Sequence, residues 1–147
     1  MKTILLFVGS LALAGALVKT GAGAVVADTI IGMLGDHPSP FLLMSVIFIL
    51  SAILTNFMSN TATTALLVPI GISLAQQMGA DPKAVLMATV IGGSCAYATP
   101  IGMPANTMVY NIAGYTFMDY VKAGAPLIVV STIVSLILLP IFFPFYP

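Results

Sequence analysis

The chain has 147 residues, of which 60% are hydrophobic and 5% are charged, and its formal net charge is zero. With a mean hydropathy of +1.15, this composition excludes an ordinary soluble domain and indicates an all-α integral membrane protein surrounded by the lipid bilayer. The four lysines form no basic patch, which excludes nucleic acid as a partner.

The N-terminal apolar run predicts a membrane helix over about Lys2–Val18, which Lys19-Thr20-Gly21 stops. The run also fits a cleavable signal peptide, but it contains glycines and continues directly into further membrane-type sequence, which favours a retained helix. A weaker helical segment is predicted over about Ala24–Leu34 and ends at Gly35.

The uncharged stretch from Pro38 to Ala80 holds more apolar residues than a single membrane crossing, which takes about 20. Its polar middle predicts a hairpin within residues 36–80, with helices over Phe41–Phe57 and Ala62–Met78 joined by a Ser-Asn-Thr turn. Non-helical backbone at membrane depth persists only where protein or a water-filled cavity surrounds it. The turn of this re-entrant helical hairpin is therefore a candidate solute site, and it suggests a transporter.

A second interruption follows along the chain. Asp81 and Pro82 predict the N-cap and the first residue of a helix over about Pro82–Ala96, which is too short to span a bilayer. Two prolines and a glycine within Thr99–Asn106 then break the helical hydrogen-bond ladder. This pattern predicts an unwound membrane helix.

The last part of the chain returns to helix. A short helix is predicted over about Thr107–Ala113, so that residues 82–118 form the broken helix as a whole. A final apolar helix over about Ala123–Phe143, within residues 123–146, is long enough to cross the membrane.

The two interruptions together predict a site for an ion and a solute. A helix that begins inside the membrane exposes unpaired N–H groups with partial positive charge, and one that ends there exposes unpaired carbonyls. Paired broken helices can therefore hold an anion beside a cation such as Na⁺. Each interruption closes with an Asn-Thr pair, and the neutral polar side chains near the two interruptions are Thr55, Ser59, Asn60, Thr61, Thr99, Asn106 and Thr107.

The same polar residues have a simpler interpretation. Ser, Thr and Asn are ordinary helix caps, and Pro and Gly are ordinary turn residues.

Neither loop contains a carboxylate, which disfavours a proton relay. The chain also offers no nucleophile–base pair and no metal-ligating set, so we expect a binding protein rather than an enzyme.

At these residues the chain resembles the divalent anion:sodium symporter family, which includes sodium-coupled dicarboxylate, citrate and sulfate carriers. The matching stretches are Thr55–Ala65, with its Ser-Asn-Thr motif, and Thr99–Asn106, with its Pro-rich break. The resemblance implies transport of a small divalent or carboxylate anion coupled to Na⁺, with no other cofactor. It also implies a homodimer that moves a transport domain against a scaffold.

Carried over position by position, the resemblance implies roles for individual residues. It implies a sodium site formed by Thr55, the Met58 carbonyl, Asn60 and the Gly102 carbonyl. It implies substrate contacts or a cavity wall at Ser59, Asn60, Thr61, Pro104 and Asn106. Met103 and Ala105 stand where many relatives are richer in Thr and Pro, which leaves the identity of the substrate open.

Members of this family carry two inverted repeats, each with a Ser-Asn-Thr motif, whereas this chain has one such motif. The resemblance therefore predicts a single membrane domain over residues 1–147 that corresponds to the C-terminal repeat. The missing half would lie on another chain, or the chain is a fragment. We expect a multi-pass protein of the cell (inner) membrane.

Two alternatives to this function remain open from the sequence. One is an arsenite- or proton-coupled carrier of the wider ion-transporter superfamily. The other is a non-transporting membrane subunit, in which the broken helices serve only for packing.

Overall fold

The structure, a computed structural model, describes residues 39–146 and, before them, the single positions Ala12, Ala16, Lys19, Thr20, Val25, Thr29 and Gly32. Apart from these positions, the helices predicted over Lys2–Val18 and Ala24–Leu34, and the signal-peptide question, lie outside the described residues. From residue 39 onward the chain is helical without a strand, with α1 (Pro40–Leu54), α2 (Asn60–Gln77), α3 (Pro82–Gly93), α4 (Pro104–Ala113) and α5 (Phe117–Phe142).

The first two helices form the predicted pair, with shifted bounds at the turn between them. α1 ends at Leu54 rather than at Phe57 because the following backbone tightens, with the Asn56 N–H donating to the Ile53 carbonyl at 3.2 Å. α2 begins at Asn60 rather than at Ala62, because Ser59 is its N-cap and the Ser59 Oγ accepts from the Ala62 N–H at 3.2 Å. The polar residues of the turn therefore include the cap of the second helix.

α3 begins at Pro82 as the sequence predicts. The Asp81 side chain caps it by accepting from the Lys83 N–H at 2.9 Å, and this backbone hydrogen bond lowers the pKa of the Asp81 carboxyl. The helix ends at Gly93, short of the predicted Ala96, with Ser94 as its C-cap.

α4 begins at Pro104, whereas the sequence analysis placed its start at Thr107. Pro104 is the first residue of the helix, a position where proline's missing N–H removes no intrahelical bond, so it starts this helix rather than interrupting it. The helix ends at Gly114, whose φ of 68° is the left-handed conformation typical of a glycine that terminates a helix.

α5 begins earlier than the predicted Ala123, because Thr116 and Asp119 form a capping box. The Asp119 Oδ2 accepts from the Thr116 N–H at 2.8 Å, and the Thr116 Oγ1 accepts from the Asp119 N–H at 3.3 Å. Phe117 and Met118 thus belong to α5 and not to the broken helix. Among the described residues, α5 is long and apolar enough to cross a membrane, while α1 and α3 are apolar but shorter.

α3 packs on α1, α2 and α5, and α1 buries two of its own faces. One face contacts α2 and Val85 of α3 in a cluster of Leu43, Ile47, Leu67, Ile70, Leu74, Ala75 and Val85. The other contacts α3 and the end of α5 in a cluster of Met44, Phe48, Ala52, Ala84, Ala88, Cys95 and Leu139. Each face follows the i, i+4 spacing of a helix, so this short apolar helix is buried on both sides.

α5 crosses the chain segment that follows α3. A Cβ atom placed on Gly124 would lie 2.6 Å from the Cα of Ala98 and still nearer to the Tyr97 carbonyl group. Only a glycine permits this approach, so α5 supports the unwound segment directly.

Candidate functional site

The two interruptions of the helices lie against each other. We call residues 55–59, between α1 and α2, the tip turn, and residues 94–103, between α3 and α4, the break. A Cβ atom on Gly102 would lie 2.6 Å from the Thr55 carbonyl oxygen and 3.3 Å from the Cα of Asn56. The lack of a side chain at Gly102 therefore lets the backbone of the break touch the backbone of the tip turn.

Thr55 is fully buried at the start of the tip turn. Its Oγ1 lies 2.5 Å from the Gly93 carbonyl oxygen and 2.8 Å from Oδ1 of Asn60. Since a hydroxyl has one proton, Thr55 donates to one of these oxygens at a time. When Gly93 accepts the proton, the lone pairs of Thr55 and Asn60 face each other. That arrangement needs either a cation beside both oxygens or the amide nitrogen of Asn60 turned toward Thr55.

Asn56 joins the tip turn to the break with its side chain, and it is 5% exposed. Its Nδ2 donates to the Ala52 carbonyl at 2.6 Å and to the Cys95 carbonyl at 3.2 Å. Its Oδ1 accepts from the Ala98 N–H at 2.9 Å. No motif in the sequence assigns Asn56 a role, although a buried amide in an apolar stretch requires hydrogen-bond partners and is itself a signal.

Thr99 completes the connection from the side of the break. Its Oγ1 donates to the Asn56 carbonyl at 2.5 Å and accepts from the Gly102 N–H at 3.2 Å. Thr99 is 4% exposed, so both bonds lie out of contact with solvent. One hydroxyl thus fixes the tip turn and Gly102 relative to each other.

Asn106 holds the break together from α4. Its Nδ2 donates to the Ala96 carbonyl at 2.7 Å and to the Thr99 carbonyl at 3.1 Å, and its own carbonyl accepts from the Tyr120 hydroxyl at 2.8 Å. The two Asn-Thr pairs are not equivalent in position, because Asn60 is the first residue of α2 while Asn106 follows Pro104 and Ala105 in α4.

The remaining residues of the predicted site lie around this contact. Ser59, Thr61 and Pro104 are exposed, and Met58 is partly buried in the tip turn. In the described part of the chain, the N-terminus of α4 has no side-chain cap, since Met103 occupies the N-cap position. Its first-turn N–H groups therefore present partial positive charge that no capping side chain offsets.

A cavity of about 590 Å³ lies elsewhere, at the start of α5. It is lined by Tyr115, Asp119, Tyr120 and Ala123, so none of the predicted site residues lines it. The rings of Tyr115 and Tyr120 lie edge to face, with 6.1 Å between their centroids. The cavity and the predicted site are connected through the hydrogen bond from Tyr120 to Asn106.

Several known proteins that are similar to this chain are named as transporters or solute carriers. The family model described as a citrate transporter matches residues 1–146. The uncharacterized transporter YfbS of Escherichia coli strain K12 is 36% identical over 143 residues, 97% of this chain and 23% of that protein. Solute carrier family 13 member 2 of Oryctolagus cuniculus is 29% identical over 134 residues, 91% of this chain and 22% of that protein.

A further relative has a more specific name. The sodium-dependent high-affinity dicarboxylate transporter 3 of Caenorhabditis elegans is 28% identical over 123 residues, which are 84% of this chain and 21% of that protein. The chain therefore spans less than a quarter of the length of each of these three relatives.

Proposed function

Because the chain belongs to the citrate transporter family, we propose that it takes part in the sodium-coupled transport of a carboxylate or other divalent anion. The resemblance to sodium-coupled anion symporters that the motifs suggest is confirmed by the relatives. The relatives described above are named as transporters or solute carriers and not as enzymes. The sodium coupling, the substrate and the residue roles below are our proposal.

The observation that carries the sodium proposal is the pair of oxygens at the tip turn. Thr55 Oγ1 and Asn60 Oδ1 lie 2.8 Å apart, and the Thr55 proton has the Gly93 carbonyl as an alternative acceptor. Two acceptors that face each other are stabilised by a cation. Na⁺ can be held by neutral hydroxyl, amide and carbonyl oxygens, and the Met58 and Gly102 carbonyls would complete the set.

The anion is proposed to bind beside this cation. Asn60 and Thr61 are the first residues of α2, and the uncapped N-terminus of α4 begins at Pro104. Backbone N–H groups and the helix dipole at such positions favour negative charge. A bound Na⁺ would add its own positive charge, which gives the physical basis for coupling the two solutes. We propose that Ser59 orients this end of α2 and that Asn106 keeps the neighbouring wall in place.

Helix lengths support an arrangement in which α1 and α3 end inside the membrane. At 1.5 Å per residue, the 15 residues of α1 extend about 22 Å, which is less than the roughly 30 Å of a bilayer core. The 12 residues of α3 extend about 18 Å. We propose that both helices end inside the membrane, so that the tip turn and the break meet at depth in one half of a two-repeat transporter.

The test uses the protein expressed at its native length and purified in detergent. Its thermal stability is measured in NaCl and in choline chloride of equal ionic strength, with succinate, citrate or sulfate. We expect an anion to stabilise the protein only when Na⁺ is present. At a ligand concentration of 100 times the Kd the gain is about 2.7 kcal/mol.

An Asn60→Ala variant tests the site, and Gln76→Ala, at the exposed far end of the same helix, is the matched control. We expect Asn60→Ala to abolish the sodium-dependent stabilisation while the protein remains folded, and Gln76→Ala to keep it. Loss of folding in Asn60→Ala would favour a packing role and a non-transporting subunit. If the thermal stabilisation by the anion depends on pH but is the same with and without Na⁺, a proton-coupled carrier would be favoured.

A further inference from the structure

Two buried side chains that the proposed sodium site does not include connect the tip turn to the break. Asn56 uses its amide to bridge the Ala52 carbonyl of α1 to the Cys95 carbonyl and the Ala98 N–H of the break. Thr99 returns from the break to the Asn56 carbonyl. We call this pair the Asn56–Thr99 clamp.

The clamp satisfies backbone groups that an unwound segment leaves without helical partners. The Cys95 carbonyl and the Ala98 N–H belong to the break, where the helical ladder is interrupted. A buried polar group without a partner costs about 1–3 kcal/mol, so each of these bonds opposes separation of the two segments. The segments are therefore held together by directional bonds in addition to apolar packing.

The clamp also connects to the residues that the sodium proposal uses. Asn56 follows Thr55 directly in the chain, and the Thr99 hydroxyl accepts from the Gly102 N–H at 3.2 Å. One end of the clamp thus fixes Thr55 and the other end fixes Gly102. The close approach between Gly102 and the Thr55 carbonyl depends on these fixed positions.

We infer that Asn56 and Thr99 are positioning residues that set the spacing between Thr55 and Gly102 and thereby the affinity for Na⁺. This inference rests on the proposed function. Residues that orient metal ligands without touching the metal typically change metal affinity by about 10–100-fold when they are replaced. Neither side chain adds a charge, so the effect would arise from geometry alone.

The experiment measures the Na⁺ concentration that gives half of the maximal thermal stabilisation, with Na⁺ as the only ligand and choline as the balancing cation. The variant Thr99→Val removes the hydroxyl at nearly constant volume, and Thr99→Ser retains it. We expect Thr99→Val and Asn56→Ala to raise the Na⁺ midpoint by about tenfold or more. Because Thr99→Ser retains the hydroxyl, we expect its Na⁺ midpoint to stay within about twofold of that of the unsubstituted protein, which is well below that range.

Ser51→Ala is the matched control for lost stability. The Ser51 hydroxyl is fully buried and donates to the Thr89 carbonyl at 2.8 Å, which joins α1 to α3, and it makes no bond to the break. We expect Ser51→Ala to lower the melting temperature without Na⁺ and to leave the Na⁺ midpoint unchanged. If Asn56 and Thr99 had only a structural role, Thr99→Val and Asn56→Ala would behave like Ser51→Ala: the melting temperature would fall and the Na⁺ midpoint would stay unchanged.

The outcomes separate the two proposals. A sodium response in the unsubstituted protein together with an unchanged midpoint in Thr99→Val would overturn the clamp and leave the proposed function standing. A protein that shows no sodium response would overturn both. If Asn56→Ala fails to fold, Thr99→Val and Thr99→Ser decide the question, because both keep the Asn56 amide and only Thr99→Val removes the hydroxyl.

Discussion

Among single residues, Thr63 differs from the other buried threonines of the bundle. Its side chain is fully buried near the start of α2, and its Oγ1 has no hydrogen-bond partner among the described residues. Thr55, Thr89 and Thr99 are also buried, and each donates to a backbone carbonyl. An unsatisfied hydroxyl in the interior costs free energy that an apolar group of the same shape does not.

We therefore expect Thr63→Val to stabilise the protein by about 1 kcal/mol, because it removes an unpaired hydroxyl at nearly constant volume. The matched control is Thr89→Val, which loses a hydroxyl that donates to the Val85 carbonyl at 2.8 Å and should cost about 1 kcal/mol. Thermal unfolding of both variants in the same detergent checks the prediction. Destabilisation by Thr63→Val would mean that the hydroxyl binds a water molecule or a solute in the membrane.

At the scale of elements, α1 and α3 approach each other closely because one face of α3 consists of residues with small side chains or none. Ala84, Ala88 and Gly92 recur every four residues and are all buried. Lipid tails are as apolar as leucine side chains, so helices in a membrane associate through close packing and interhelical hydrogen bonds rather than through release of water. The small face of α3 and the bond from Ser51 to the Thr89 carbonyl provide both.

Gly92→Ala tests this contact. A Cβ atom at Gly92 would lie 2.6 Å from the Phe48 carbonyl oxygen and 3.0 Å from the Cβ of Ser51, so the helices must separate to accept it. We expect a loss of stability of about 1–3 kcal/mol, as for other overpacked contacts. Val90→Ala, on an exposed position of α3, should change stability by less than about 0.5 kcal/mol. Equal melting temperatures for the two variants would contradict close packing of α1 on α3.

At the scale of the whole molecule, the proposed function requires that two solutes influence each other through one site. The tip turn and the break would carry the cation ligands, and the N-termini of α2 and α4 would face the anion. Because both solutes would bind to the same small group of residues, each would change the electrostatic field that the other experiences. Linkage requires that this mutual effect be equal in both directions.

We predict that saturating anion lowers the Na⁺ Kd by the same factor by which saturating Na⁺ lowers the anion Kd. Couplings of this kind are typically about 5–150-fold. Isothermal titration of each solute, with and without the other, measures both factors on the protein at its native length. Additive binding without a change in either Kd would rule out coupling at a shared site.

How much the sequence predicts is clearest at the helix ends. Asp81 and Pro82 correctly predict the start of α3, because an N-cap and a proline at the first position act locally. The same chemistry at Pro104 was interpreted as a helix breaker, although proline also begins α4. A residue type that both starts and interrupts helices is ambiguous until its neighbours are positioned.

The sequence by itself determined that the chain is apolar, that its helices are interrupted at the Ser-Asn-Thr and Pro-rich segments, and that it belongs to the citrate transporter family. These properties follow from composition and from local backbone chemistry, which the order of residues specifies directly. Only the tertiary structure showed that Asn56 and Thr99 join the two interruptions and that Asn106 supports the break. The bonds of Asn56 and Thr99 between the two interruptions link residues about 40 positions apart, and a polar side chain carries no local signal of which distant carbonyl it will meet.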